Sequence, residues 1–177
     1  MAWGARTALL GLAIALAGGM LAGCTPESTP GPTPTPKSVV QACADLKDAV
    51  EQYYDNASPG STLTELNTWE LPALHQFTIP RPSCSFQIRP NPQVVAGDVF
   101  TIENFYLDYD ETMTLTLGDQ LQQAGYAVKD AKFHTWAVSY LGTYYSAAML
   151  LFAPGDDSPY ADAADHFRVL DLSIGQN

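Results

Sequence analysis

The chain has 177 residues, 46% of them hydrophobic, and a formal net charge of −11 from 8 Lys and Arg against 19 Asp and Glu. That balance argues against nucleic acid as a partner, because phosphate contacts need Lys and Arg. It also argues against electrostatic adhesion to anionic lipid, which polybasic patches provide.

In chain order, Met1 to Thr7 carries one basic side chain, Arg6, and an apolar run follows from Ala8 to Ala22. A membrane span needs about 20 apolar residues. This run is shorter, is interrupted by Gly18 and Gly19, and has no basic cluster after it. A short basic region followed by a short apolar one reads as a secretory signal. It closes on Leu21-Ala22-Gly23-Cys24. That segment resembles the lipobox of bacterial lipoproteins: Leu three positions before a cysteine, small residues between, and the apolar run upstream. The resemblance covers residues 1–24. It implies cleavage before Cys24 and a diacylglycerol on the Cys24 thiol, giving a protein anchored by lipid on the extracytoplasmic face of the cell membrane. Two acyl chains suffice for stable anchoring where one does not. Cleavage removes 23 residues and the charge of Arg6, leaving 154 residues at net −12, a length that suits one domain.

The expected organisation is therefore a signal peptide over 1–23, a Thr/Pro-rich spacer over 24–37 and a single domain over 38–177. Residues 25–37 hold five prolines, which support neither helix nor sheet ladder. Extended polyproline II geometry at about 3.1 Å per residue gives a spacer of up to roughly 40 Å.

Ser38 with Gln41 matches a capping box. Val39, Cys43, Leu46, Val50 and Tyr53 then recur at helical spacing, so a helix is expected to about Asp55. Residues 56–82 are broken by Pro72, Pro80 and Pro82, with a helical turn expected within Thr64–Leu74. Cys84, Phe86 and Ile88 alternate with polar residues, a strand over 83–88. Pro90-Asn91-Pro92 marks a turn, and a strand is expected over 99–106. Met113, Leu117, Leu121 and Ala124 predict a helix ending at Ala124 before Gly125, which fits a C′ glycine. Its start falls between Glu111 and Leu117, and Thr116 with Asp119 offers a cap. Strands are expected at 126–128, 133–141 and 143–153, the last two a hairpin turning at Gly142, and at 167–174 with Leu170, Leu172 and Ile174 inward. The fold class is α+β, with a mainly antiparallel sheet of about five or six strands and helices packed on one face. The layout resembles small lipoproteins of Gram-positive bacteria, a likeness of architecture that implies no activity.

With Cys24 taken by the lipid, Cys43 and Cys84 remain, an even pair in an oxidising compartment. Neither lies in a C-x-x-C or a Cys/His cluster, so a structural disulfide is expected. Closing a loop of this length stabilises by about 4 kcal/mol in the chain-entropy relation.

Four groups of residues bear on chemistry. Asp108 and Asp110, with Glu111, form one acidic cluster, and Asp156 and Asp157, followed by Asp162 and Asp165, form another. These are the weak candidates for a divalent cation, although acidic runs are most often solvated surface. His75, His134 and His166 lie in no H-E-x-x-H and are not helically spaced. Trp136, Tyr140, Tyr144 and Tyr145 flank the hairpin turn as a possible binding platform. No nucleophile-elbow, phosphate-loop or dinucleotide motif is present. The sequence thus points to a non-enzymatic binding module of the cell envelope. It is expected to need no cofactor and to bind a protein, glycan or small ligand. The alternative is an envelope hydrolase or divalent-metal-binding protein using clustered Asp and His.

Overall fold

The computed structural model describes residues 35–71 and 77–176. The expected signal peptide, Cys24, most of the spacer and His75 lie outside the described residues.

Helix α1 (Val39–Ala57) begins at Ser38, whose hydroxyl accepts the Gln41 N–H at 3.2 Å. The Gln41 side chain donates to Asp45 at 2.8 Å rather than reaching back to the cap, so half of the capping box forms. The buried row is Ala42, Leu46 and Val50, with Cys43, Ala49 and Tyr54 packed beside it. Val39 and Tyr53, expected in the buried stripe, are about half exposed. There follow β1 (Thr62–Glu65), β2 (Cys84–Arg89), β3 (Phe100–Leu107), α2 (Glu111–Gln123), β4 (Ala127–Asp130), β5 (Thr135–Tyr140), β6 (Thr143–Phe152), α3 (Ala161–Ala164) and β7 (Val169–Gln176).

The strands form one antiparallel sheet in the order β1-β2-β3-β7-β6-β5-β4. The expected α+β class with an antiparallel sheet is therefore found, but the sheet has seven strands rather than five or six. The additional strand is β1, where a helical turn was expected. Four residues carry too little periodicity to tell strand from turn, and pairing with β2 decides the matter. The last strand, β7, enters the middle of the sheet between β3 and β6, and its first four residues are buried.

Nor do the helices share one face. Neighbouring residues on a strand point to opposite sides. Tyr106 and Leu170 pack with Leu117 and Leu121 of α2, whereas Phe105 and Val169 pack with Leu46 and Val50 of α1 and Ala161 and Ala164 of α3. One core therefore lies under α2 and another under α1 and α3. The chain leaves β3 in the sheet interior and must reach β4 at the far edge, and α2 crosses one face to do so. Its N-cap is Asp110, whose Oδ1 accepts the Met113 N–H at 3.0 Å, and Gly125 ends it at φ +94°. Thr116, the expected cap, instead donates to the Thr112 carbonyl within the helix.

The disulfide between Cys43 and Cys84 is formed, with Cα atoms 5.8 Å apart, and ties α1 to β2. The β5–β6 hairpin turns at Leu141 and Gly142, with φ +48° and +81°. Two successive left-handed residues make the tight turn whose twist matches the strands. Among the described residues no helix is long and apolar enough to cross a membrane.

Candidate functional site: an open half of one sheet face

Six inter-strand steps make the sheet about 29 Å wide, and a helix with its side chains covers about 10 Å of that. Helix α1 packs over the β2 and β3 side chains, and α3 packs beside α1. The same face of β7, β6 and β5 beyond them is left to a cleft of about 480 Å³. Register builds its floor. Thr101, Gly175 and Ser146 lie in one cross-strand row, and Ser173, Ala148 and Thr135 in the next. The floor is shallow because its side chains are small. A Cβ on Gly175 would lie 3.3 Å from the Ser146 hydroxyl. Tyr54 of α1 forms one wall, with Tyr144 and Lys129 also lining the cleft.

Beside this floor, on the same face at its Tyr54 side, lie two buried acids, Glu103 and Asp171, 3% and 4% exposed. Glu103 sits across from Ser173 and Asp171 across from Phe105 on the adjacent strand. The Tyr54 hydroxyl donates to Glu103 Oε1. Asp171 and Ser173 also hydrogen-bond the Glu103 carboxyl. Glu103 Oε2 and Asp171 Oδ1 are buried and receive no proton from any protein donor. Burial raises the pKa of both acids. Asp171 is pushed well above the usual carboxylate range, first by desolvation and then by the Glu103 charge. Burial also raises Tyr54 and Tyr160, so both phenols keep their protons. The ion pairs among the described residues, Lys37–Asp45, Arg89–Asp98 and His166–Asp165, lie elsewhere. The buried acids thus have no cationic partner among them.

Of the residues singled out from sequence, Trp136 and Tyr144 are among those lining this cleft, and the others are not. Strand register places Tyr144 on the cleft face, but Trp136, Tyr140 and Tyr145 on the α2 face. Trp136 is a core residue packed with Leu117 and Leu121. The four aromatics therefore form no single platform, because successive strand residues alternate sides. Asp108 adopts φ +56° at the end of β3, which breaks the alternation expected to aim it with Asp110. Asp110 is a helix cap. Asp156 accepts the Ala153 N–H at 2.7 Å to close its own loop, and Asp157 is exposed. Among the described residues no three His, Cys, Asp or Glu side chains gather as a metal site. His134 stacks beside Trp136, and His166 packs on Phe167 with Nδ1 3.2 Å from Asp165 Oδ2.

Glu103 and Asp171 were not singled out from sequence. A signal was present: each is an acid inside an apolar strand, in Ile102-Glu103-Asn104-Phe105 and Leu170-Asp171-Leu172. Alternation alone assigns such acids to solvent, and only the packing of α1 and α3 shows that their side is covered. No protein-family model, curated protein or solved structure matches the chain.

Proposed function

We propose that this chain is a lipid-anchored, extracytoplasmic lipoprotein whose domain is a non-enzymatic binding module, and that it holds a small polar ligand in the open cleft. The observation that carries the binding reading is the uncovered half of the α1 face, with its hydroxyl-bearing floor, aromatic wall and a lysine in no ion pair among the described residues. Ligand sites are concave and carry a few convergent polar groups, and this cleft has that character. The anchoring reading rests on Leu21-Ala22-Gly23-Cys24, and the Cys43–Cys84 disulfide is in keeping with an oxidising compartment.

Placement favours the same reading. The Lys37 N–H donates to Asp165 at 3.3 Å and its ammonium pairs with Asp45, so the chain enters the domain beside the start of α1. Tyr54 lies sixteen residues beyond Ser38 on that helix, about 24 Å along its axis. A spacer attached at Lys37 leaves the cleft at the other end of α1. The hydrolase or metal-binding alternative draws little from the residues it named, since Asp110 and Asp156 are committed to local backbone bonds.

Each half of the proposal has its own test. Cys24→Ser is expected to move the protein from the membrane to the soluble fraction, and a signal-cleaved Cys24→Ser protein that still fractionates with membranes overturns the anchor. For the cleft, the full chain in detergent is titrated with maltotriose, spermidine, a nucleoside and trialanine. Binding of one of these that is lost in Ala148→Phe, with the melting midpoint retained, supports the cleft. Binding unaffected by Ala148→Phe, or no binding at all, overturns it.

A further inference from the structure

The cleft is electrically two-ended. At the α1 end, the proton of the Tyr54 hydroxyl goes to Glu103, and the Ser173 hydroxyl is bonded to the same carboxyl. A hydroxyl whose proton is committed offers only lone pairs to a neighbour. Behind these two acceptors lie the buried carboxyls of Glu103 and Asp171, and no Lys, Arg or His among the described residues pairs with them. A buried charge without a partner is costly. An ammonium group above Tyr54 and Ser173 would donate to their remaining lone pairs and offset negative charge on the acids behind them.

At the other end lies Lys129, exposed and in no ion pair among the described residues. It stands at the irregularity in the β4–β5 register between Val128 and Asp130, the kind of bulge that re-aims a side chain. The adjacent acid does not neutralise it: Asp130 accepts the Lys132 and Phe133 N–H groups of the following turn.

We infer that the cleft takes a short zwitterionic peptide, with its ammonium on Tyr54 and Ser173 and its carboxylate on Lys129. This rests on the cleft being the binding site. Three inter-strand steps separate β7 from β4, about 14 Å. The Lys129 stem and the Tyr54 and Ser173 hydroxyls close part of that distance. The remainder suits two or three residues at about 3.3 Å each, and a single amino acid is too short. A polyamine satisfies one end and is repelled by Lys129, and a simple anion has the reverse fault. Between the poles, Ser146 of β6 and Thr135 of β5 present hydroxyls to the peptide groups.

The test is calorimetric titration of the full chain with trialanine, N-acetyl-trialanine and trialanine amide. Trialanine is expected to bind, and each blocked form about tenfold or more weakly, the scale of one lost charge-assisted hydrogen bond. Lys129→Met is expected to weaken trialanine and leave the amide unchanged. Glu103→Gln is expected to weaken trialanine and leave the N-acetyl form unchanged. If Glu103→Gln fails to fold, the exposed Lys129 variant decides alone. Equal affinity for the three peptides overturns the inference. If trialanine fails to bind while another of the small solutes binds and Ala148→Phe abolishes it, the peptide inference falls and the cleft stands. If none binds, both fall.

Discussion

On the α2 face, apolar side chains from four strands meet Leu117 and Leu121, both fully buried, and Trp136 packs against the helix at Gly118. On the opposite face α1 and α3 cover part of the width, and the rest is a row of Thr, Ser, Gly and Ala with two buried acids at one side. The difference teaches how stability and binding are divided in this domain. One face is a continuous core. The other is held by a smaller core and a disulfide, and keeps polar surface open. Burying a polar group is costly without a hydrogen bond, and Tyr54 and Ser173 offset part of that cost at Glu103.

Substitutions on the two faces separate these roles. Leu121→Ala leaves a cavity in the α2 core and is expected to lower unfolding free energy by about 2–5 kcal/mol in denaturant titration, without changing ligand binding beyond its effect on the folded fraction. Replacing Cys43 and Cys84 by alanine is expected to cost about 4 kcal/mol by freeing the unfolded chain. A loss well under that figure would mean that the α1 core holds without the tie.

Tyr54→Phe removes the donor to Glu103 Oε1 and is expected to cost about 1.5–3 kcal/mol, the range for a hydrogen bond to a charged group. A neutral result would show that the pair is fully protonated and does not need the phenol. The pH dependence has a definite sign. Both acids have raised pKa values in the folded state, so the stability they contribute is fully present below the unfolded carboxyl range, near pH 4. It is lost as pH rises through the folded values. Asp171→Asn is expected to flatten that decline, and an unchanged profile would remove the pair from the account. Asp45, Asp110 and Asp165 are shifted the other way, toward stability lost in acid, but they are solvent-exposed and screened. The smallest effect is expected at the open end of the cleft: Tyr144→Ser should stay within about 0.5 kcal/mol in stability while weakening whatever the cleft binds.

Local signals in the sequence were sufficient where one element explains itself. Ser38 as a cap, Gly125 as a stop and the turn at Gly142 act through backbone atoms a few residues away. The alternation in β2 and β7 reports one packed side of each strand, although the other side is covered as well. The cysteine pair was legible because the lipobox reading of Cys24 leaves only Cys43 and Cys84 to meet. The sequence did not show β1, because a four-residue edge strand gains its identity from the neighbour it pairs with. The division of Trp136, Tyr140, Tyr144 and Tyr145 between two faces, and the left-handed break at Asp108, depend on register and backbone turns.

Thus the amino-acid sequence by itself determined the helices, most strands, the disulfide and the acidic character of the domain, all set by short-range periodicity or composition. Tertiary structure alone decided that β7 inserts between β3 and β6 and that the helices take both faces. It also decided that Glu103 and Asp171 are buried together beside an open cleft. Those features join residues 68 positions apart on neighbouring strands under a third element, and no local rule of the chain carries information over that distance.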